Sequence, residues 1–427
     1  MQRRTPHEDG RKARSPGQSE VDRGRPFDRR CHPQQQRYER ALALHRGGQL
    51  GEAAALYREV LASEPGHFGA LHLLGVIEAQ RGRYAEAVVL IEQAIRIDPG
   101  VAAAHADLGN AECALGFFDK ALTSYERALT LQPGHQWALM GQGKARSSLG
   151  RLTDALASYE AALDIEPDCS ESLMCRGDIL LKLGRLAEGA VSLRRAVACG
   201  ADPEPIRFVL ASIGLEAIPG MAPAGYVKDL FDNYADRFDT ALVEYLHYRT
   251  PELLAELVLR KSPPAPLDVL DLGCGTGLCG PLLQPVARRL TGVDLSTNML
   301  AKARGRGVYT DLECIELTDY LATRHAEFDV VIAADVFVYL GDLAPVFVGV
   351  RGALRAGGRF AFSVEAGEQQ DCELAATRRY RHSRPYLERL AAEYGFDVEA
   401  IEKRVLRQNE GRQVNGHLAL LRLAVGR

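Results

Sequence analysis

The chain has 427 residues, too many for one ordinary hydrophobic core, so we expect two or three domains. Hydrophobic residues make up 46% and charged residues 25%, which is typical of a globular protein and excludes a wholly disordered or fibrous chain. The net charge of −4 gives no basic surplus, so nucleic acid is not an expected partner, and no apolar run is long enough to cross a membrane.

The first 36 residues form a basic segment with few apolar side chains. They contain nine lysines and arginines against five acidic residues, with Val21 and Phe27 among the few apolar exceptions. Such a segment cannot bury enough surface to offset its ordering entropy. We predict a disordered basic tail, either a plain solvated end or an arm that touches nucleic acid or anionic lipid. No apolar stretch of signal-peptide length follows it, so secretion is not expected.

Between residue 37 and about residue 206 the sequence resembles itself at a fixed offset of 34 residues. Four series of positions keep this spacing: Pro65, Pro99, Pro133 and Pro167; Gly75, Gly109, Gly143 and Gly177; Gly48, Gly82, Gly116, Gly150 and Gly184; Ala53, Ala87, Ala121 and Ala155. A period of this length fits two helices joined by a tight turn, with small residues where the helices cross closely.

These positions resemble the tetratricopeptide repeat, whose Leu-Gly, Ala, aromatic and Pro positions are matched by Leu108, Gly109, Ala121, Tyr125 and Pro133. The resemblance implies about five repeats over residues 37–217, stacked as an all-α solenoid with an inner groove for a protein partner. Trp137 is the single tryptophan of the chain and falls on a groove-facing helix. It is expected either to anchor that partner or to pack between neighbouring helices.

The repeat spacing is lost after Pro203. Residues 218–225 contain proline and glycine, which break both helical and strand periodicity, so we interpret them as a linker. Short β-branched runs then alternate with helical stretches from residue 226 to residue 427. This pattern predicts a parallel sheet with helices on both faces.

A glycine-rich turn follows the first predicted strand of this region. The apolar residues 269–272 lead directly into Gly273, Gly275 and Gly277. Glycines permit a tight turn and let a ligand approach the backbone at the start of the next helix. The spacing differs from that of dinucleotide-binding proteins, and Asp271 within the strand would repel a pyrophosphate. A carboxylate there suits a ligand that carries an ammonium group, such as S-adenosylmethionine.

The next strands end in further acidic residues. Asp294 follows Gly275 by 19 residues, at a strand end where a carboxylate can accept hydrogen bonds from two ribose hydroxyls. Glu316 and Leu317 fall at the expected end of the third strand, and Asp335 falls at the end of the fourth.

Residues 226–427 resemble class I S-adenosylmethionine-dependent methyltransferases, and the whole arrangement resembles bacterial predicted methyltransferases that contain tetratricopeptide repeats. The resemblance implies a Rossmann-like α/β domain and an enzyme that uses S-adenosylmethionine without a metal. The implied contacts are Asp271, Gly273, Gly275 and Gly277 for the methionine part, Asp294 for the ribose, and Leu295, Met299, Glu316 and Leu317 around the adenine. Asp335 is expected to line the methyl-transfer site.

An aromatic amphipathic helix is predicted just before the first strand, at residues 226–238. Its Tyr226, Phe231 and Tyr234 are expected either to close over the cofactor as a lid or to pack on the sheet.

A basic run lies at residues 378–386. His382 is a candidate general base and Tyr386 a candidate for positioning the methyl acceptor. The alternative is a solvated helix start, which is the interpretation that we prefer for Arg378 and Arg379.

Three functions remain open at this point. The preferred one is a methyltransferase whose repeats bind a protein, either as substrate or as complex partner. The alternatives are a methyltransferase for a quinone, lipid or metabolite with repeats for assembly, and a scaffold without turnover. Nine scattered cysteines with no Cys-x-x-Cys pair indicate reduced thiols and a cytoplasmic location.

Overall fold

The computed structural model describes residues 33–234, 248–261, 266–368, 370–409 and 411–425. The described residues form two compact units, one that ends at residue 149 and one that begins at residue 150. The described part of the first unit is helical: α1 (Pro33–Arg46), α2 (Leu50–Ser63), α3 (Phe68–Gln80), α4 (Tyr84–Ile97), α5 (Ala102–Ala114), α6 (Phe118–Leu131) and α7 (Gln136–Ser148).

Glycine ends the first helix of each repeat in the way that the 34-residue spacing predicts. Gly82, just after α3, has a φ of 77°, in the left-handed region that favours glycine. The next amide, of Arg83, donates back to the carbonyl of Glu78 at 2.9 Å and so closes the helix end. The chain can therefore reverse into α4 within a few residues.

The glycine series that contains Gly109 and the alanine series that contains Ala121 lie where the two helices of a repeat touch. A Cβ added at Gly109 in α5 would lie 2.6 Å from the Tyr125 ring of α6, which leaves no room for any larger residue. Ala121 is wholly buried in the same contact. The predicted repeat architecture is confirmed by this packing.

Trp137 lies in the first turn of α7 and is 59% exposed. This exposure contradicts the interpretation of a tryptophan packed between neighbouring helices. Its use as an anchor for a partner stays a prediction.

The second unit begins with four more helices: α8 (Leu152–Ile165), α9 (Ser170–Lys182), α10 (Leu186–Ala198) and α11 (Pro203–Ser212). Asp202 caps α11 by accepting a hydrogen bond from the amide of Glu204 at 3.0 Å, with proline in the first turn. Phe208 of α11 is 1% exposed and packs in one cluster with Val338, Tyr339 and Tyr380 from the later part of the chain.

The segment predicted as a linker, residues 218–225, is held by backbone hydrogen bonds. The amide of Ala222 donates to the carbonyl of Tyr339, and the amide of Gly341 donates to the carbonyl of Gly220, both at 2.8 Å. The Tyr380 hydroxyl donates to the carbonyl of Pro219 at 2.7 Å. The structure therefore fixes this segment against the later part of the unit, and it has no free linker character.

The rest of the second unit is a sheet covered by helices. Its elements are α12 (Ala224–Tyr234), α13 (Thr250–Lys261), β1 (Leu267–Leu272), α14 (Gly280–Leu283), β2 (Ala287–Asp294), α15 (Thr297–Gly305), β3 (Asp311–Cys314), α16 (Leu317–Ala322), β4 (Phe328–Ala333), α17 (Ala344–Ala353), β5 (Leu354–Ala366), β6 (Cys372–Leu374), β7 (Tyr380–His382), α18 (Arg384–Glu393), β8 (Phe396–Asn409) and β9 (Arg412–Leu423).

The sheet runs in the order β3-β2-β1-β4-β5, and these strands are parallel. β5 then pairs with the antiparallel β9, and the end of β5 also pairs with β7. Every residue of β1 is buried, because separate apolar clusters cover the two faces of the sheet. The predicted Rossmann-like α/β fold is confirmed.

The strand order reverses between β1 and β4, which creates a crevice at their carboxyl ends. Ligands of open α/β sheets bind in such a crevice. No helix in the ranges that the structure describes is long and apolar enough to span a membrane.

Candidate functional site

A cavity opens at the reversal point of the sheet, and most of the predicted cofactor residues border it. Predicted residues on its wall are Gly273, Gly275, Asp294, Leu295, Glu316, Leu317, Asp335 and Phe231. Wall residues that sequence analysis gave no role in the site include Met221, Ala222, Tyr248, Ile315, Tyr339, Arg379 and Arg407. We call it the cofactor cavity.

The glycine turn after β1 forms the floor of the cofactor cavity. Gly273 and Gly277 have φ values of 63° and 82°. A Cβ on Gly273 would meet Val336 at 2.6 Å, and one on Gly277 would meet the Tyr309 ring at 2.8 Å. Gly275, with a φ of 55°, has nothing within 4 Å of its would-be Cβ, so a ligand can approach its backbone closely.

Asp294 is held rigidly at the end of β2. Its Oδ2 accepts from the amide of Gly275 at 2.9 Å, and its Oδ1 accepts from the amide of Ser296 at 2.8 Å. Burial raises the pKa of Asp294, and the two backbone hydrogen bonds work against this rise. Each carboxylate oxygen keeps a second lone pair, so the group can still accept from the two hydroxyls of a ribose.

Apolar side chains from the ends of β2 and β3 form one wall. Leu295, Ile315 and Leu317 border the cofactor cavity and suit a flat heteroaromatic ring. Glu316 is also at this wall, but its carboxylate caps α16 by accepting from the amides of Thr318 at 2.6 Å and Asp319 at 3.1 Å.

Three residues predicted to bind the cofactor do not border the cavity: Gly277, Met299 and Asp271. Gly277 lies in the glycine turn but faces the Tyr309 ring. Met299 is fully buried in α15, because its position in the first turn faces the sheet. Asp271 is 1% exposed, behind the glycine turn, and accepts from the Tyr309 hydroxyl at 2.6 Å. Burial raises the pKa of Asp271 to about 7; the Tyr309 hydrogen bond opposes this and the Asp294 charge adds to it.

Asp335 borders the cofactor cavity in a left-handed conformation, with a φ of 55°. Its amide donates to Ser363 Oγ at 2.8 Å, and the Ser363 hydroxyl donates to its Oδ1 at 3.1 Å. Arg407 of β8 donates to its Oδ2 at 2.8 Å. A non-glycine residue in this conformation is strained, and such strain is common at functional sites.

Arg407 continues this network to Glu365 at the end of β5. Both side chains are about 5% exposed or less and form an ion pair. Arg379 lies 3.6 Å from the same carboxylate and above the Tyr339 ring, at 5.8 Å from its centre. The interpretation of Arg379 as solvated is therefore wrong, since it lies on the cavity wall. Arg378 is not solvated either, because it pairs with Asp178 of α9.

The proposed base does not reach the cavity. His382 is fully buried, and its Nε2–H donates to the carbonyl of Gly341 at 3.1 Å. Burial lowers the pKa of His382 to about 4. The structure thus gives His382 a packing role, stacked 5.8 Å from Tyr386, and corrects the interpretation of a general base.

Tyr386 is also away from the cofactor cavity. It is 7% exposed, and its hydroxyl accepts from the amide of Leu343 at 3.0 Å and donates to Asp342 at 3.2 Å. Because Ser383 caps α18 and turns this helix onto the core, Tyr386 cannot position an acceptor in the cavity.

The aromatic residues of α12 have different positions. Phe231 borders the cofactor cavity, with its ring edge-on to Tyr339 at 5.5 Å. Tyr226 instead packs on Phe208 at 5.3 Å. The side chain of Tyr234 lies outside the residues that the structure describes.

Sequence analysis missed wall residues that are far from any motif. Arg407 carries one usable signal, a charged residue in the interior of a long strand, where burial requires a partner. Met221 and Tyr248 carry none. Within the described ranges no group of His, Cys, Asp and Glu is arranged to hold a metal, and none of the eight described cysteines forms a disulfide.

Two family models match this chain. Residues 270–362 match a model described as a methyltransferase domain, and residues 38–102, 106–168 and 140–204 match a tetratricopeptide-repeat model. The first match contains the glycine turn, Asp294, Glu316 and Asp335.

The ubiquinone biosynthesis O-methyltransferase of Thiobacillus denitrificans is 33% identical over 107 residues, which is 24% of this chain and 46% of that protein. The biotin biosynthesis bifunctional protein BioHC of Saccharophagus degradans is 29% identical over 163 residues, 36% of this chain and 27% of that protein. The chain thus spans less than half the length of these two curated relatives.

A solved magnesium protoporphyrin IX methyltransferase from Synechocystis PCC 6803, with bound S-adenosylmethionine, aligns at a TM-score of 0.38 and 17% identity. The alignment covers 47% of this chain and 97% of that one. Methyltransferase domains of this class take their methyl group from S-adenosylmethionine, and this chain combines such a domain with tetratricopeptide repeats.

Proposed function

We propose that this chain transfers a methyl group from S-adenosylmethionine to a small-molecule acceptor, and that its repeats bind a protein partner. One observation carries the proposal. The turn after β1 and the end of β2 are joined by the hydrogen bond from Gly275 to Asp294, directly beside Asp335 at the wall of one cavity.

The residues present fit the cofactor. The open space at Gly275 leaves room for its methionine part, which a Cβ would fill. Asp294 would accept from the ribose hydroxyls, and Leu295 with Leu317 would hold the adenine. The bound cofactor supplies an electrophilic methyl group next to a sulfonium.

The acceptor side is the wall that contains Asp335, Tyr339 and Phe231. Donors to both carboxylate oxygens hold Asp335, so the position of its side chain beside this space is fixed. The rings of Phe231 and Tyr339 make this part of the wall apolar. Methyl transfer to a nucleophile that is ionised at neutral pH needs in-line positioning and no base from the protein.

A small-molecule acceptor is favoured by the apolar wall of the cofactor cavity. Met221, Ala222 and Ala224 line it together with Phe231 and Tyr339, and such a wall is typical of small-molecule sites. The curated relatives named above carry names from ubiquinone and biotin biosynthesis, which fits an acceptor of this class. A protein acceptor is the second candidate, and the 59% exposure of Trp137 favours it.

Calorimetry with S-adenosylhomocysteine tests the cofactor site. Asp294→Ala is expected to weaken binding by about 1.5–3 kcal/mol, because charge-assisted hydrogen bonds to the ribose are lost. Asp311→Ala, an exposed aspartate of β3, is the matched control and should bind like the wild type. If both variants bind S-adenosylhomocysteine as tightly as the wild type does, Asp294 does not contact the cofactor.

A transfer assay with tritiated methyl groups tests the acceptor class. Purified enzyme is added to extract, and the label is measured separately in protein and in the small-molecule fraction. Label confined to the small-molecule fraction supports the proposal, and label confined to protein supports the second candidate.

A further inference from the structure

A second cavity adjoins the cofactor cavity, and its wall is strongly basic. It lies among the end of β5, β7, the start of α18 and the β8–β9 hairpin. Cationic wall residues are Arg379, Arg381, Arg384, Lys403, Arg407 and Arg412, against the acidic residues Glu365 and Glu368. The chain as a whole is acidic, with a net charge of −4, so this concentration of positive charge is local. We call it the basic cavity.

Two of these cations are not paired with any acidic residue that the structure describes. Within the described part of the chain, Lys403 and Arg412 form no ion pair, whereas Arg407 and Arg381 both lie near Glu365. Arg384 is paired with Glu388, one turn along α18. A cleft lined by positive charges concentrates anions from solution.

His417 provides an independent observation in the same cavity. It is 8% exposed and borders the basic cavity, and its Nδ1 has no hydrogen-bond partner among the described residues. Lys403 lies directly opposite it in the β8–β9 register. Burial lowers the pKa of His417, and the positive charges of Lys403 and Arg384 lower it further. A buried ring nitrogen without a partner is costly unless a ligand supplies one.

The two cavities share Arg379 and Arg407. Arg407 touches Asp335 on the acceptor side of the cofactor cavity and Glu365 on the basic side. A molecule in the basic cavity therefore lies next to the space where the methyl group is transferred.

We propose that the basic cavity binds a carboxylate or phosphate group of the methyl acceptor, so that the acceptor is an anionic small molecule. Guanidinium groups bind both anions in a forked geometry, and Lys403 and Arg412 supply positive charge that no described acidic residue pairs with. This inference rests on the proposed function, because it assigns the anion to the acceptor of that same site.

The first test measures binding of two probes, inorganic phosphate and succinate, to the full chain saturated with S-adenosylhomocysteine. At least one probe should bind at millimolar concentration, and the double variant Lys403→Gln/Arg412→Gln should weaken it by about tenfold or more through the loss of charge-assisted contacts. The control is Lys261→Gln/Arg351→Gln, which removes one exposed lysine and one exposed arginine elsewhere.

The affinity for S-adenosylhomocysteine should be the same in all three proteins, since Lys403 and Arg412 border only the basic cavity. Failure of both probes to bind, or equal binding in the double variant and the wild type, would overturn the proposal. If the wild type does not bind S-adenosylhomocysteine, the proposed function itself is rejected.

The second test examines the methylated product itself. Tritiated product made from extract should be retained by an anion-exchange resin. If phosphatase treatment abolishes retention of the product on the resin, its anionic group is a phosphate. If the treated product is still retained, the group is a carboxylate. A product that passes through the resin without retention would overturn the proposal.

Discussion

Arg378 and Asp178 form an ion pair with a nitrogen–oxygen distance of 2.5 Å, which joins the β6–β7 turn to the repeat helix α9 within the second unit. Burial opposes ionisation of Asp178, but the charges of Arg378 and Lys182 hold its pKa below the usual value. Arg378 itself has a left-handed backbone, with a φ of 61°. The β6–β7 turn of the methyltransferase domain is therefore anchored to a helix of the repeats.

Asp178→Asn is expected to lower the stability of the second unit by about 1–2 kcal/mol, because Arg378 loses its partner in a half-buried position. The folded pKa of Asp178 is depressed, so the stabilisation is present above about pH 4 and is lost as the pH falls further. Urea unfolding followed by circular dichroism measures both effects. Asp168→Asn, which removes an exposed ion pair with Arg195, is the control and should change stability much less.

Asp335 is expected to tolerate asparagine better than alanine. Asparagine adopts the left-handed conformation with little strain, whereas alanine costs about 1 kcal/mol more. Asp335→Asn should keep the fold and the affinity for S-adenosylhomocysteine but slow methyl transfer by about tenfold, because the acceptor is positioned less well. The kcat of Asp335→Asn is compared with its calorimetric affinity for S-adenosylhomocysteine. An unchanged kcat would show that Asp335 only stabilises the backbone turn and has no role in methyl transfer.

Because Asp271 is buried, we expect its contribution to stability to fall as the pH rises. Burial raises its pKa to about 7, so the folded chain holds this proton more tightly than the unfolded chain. The resulting stabilisation is complete below about pH 4 and is lost as the pH rises through 7, at up to about 1.4 kcal/mol per pH unit. Asp271→Asn should remove this dependence.

The test is to measure the urea unfolding midpoints of the wild type and of Asp271→Asn from pH 5 to pH 8. The difference between the two midpoints should change with pH. A difference that stays constant over this range would mean that Asp271 is already ionised in the folded protein.

The boundary between repeats and methyltransferase domain is tested by two fragments. We propose domains at residues 37–217 and 226–427, yet Phe208 of α11 covers Val338 and Tyr380. A fragment of residues 150–427 should therefore be soluble and bind S-adenosylhomocysteine like the full chain. A fragment of residues 224–427 should be less stable, because it exposes that apolar surface.

The same fragments separate the two acceptor classes. The 150–427 fragment should retain full turnover on a small-molecule acceptor. Loss of turnover in this fragment, together with weaker partner capture by Trp137→Ala in the full chain, would favour recruitment of a protein acceptor by the repeats.

Local patterns predicted the repeats and the glycine turn, because both depend on contacts between residues close in sequence. The Gly82 turn requires a left-handed backbone, and Gly109 requires a close helix crossing within one repeat. Each constraint recurs every 34 residues and is therefore visible without a structure. Asp294 was predictable for a similar reason, since it follows Gly275 at a spacing set by one strand–helix–strand unit.

Tertiary structure alone decided which side chains meet around Asp335 and Arg378. Arg407 reaches Asp335 from 72 residues further along the chain, and Arg378 reaches Asp178 across 200 residues. Sequence analysis placed a base at His382 because its residue type suits one, but the fold buries that ring against Gly341. Residue type and spacing specify which groups are available, whereas burial and long-range pairing decide which of them are charged, exposed and turned toward the cavity.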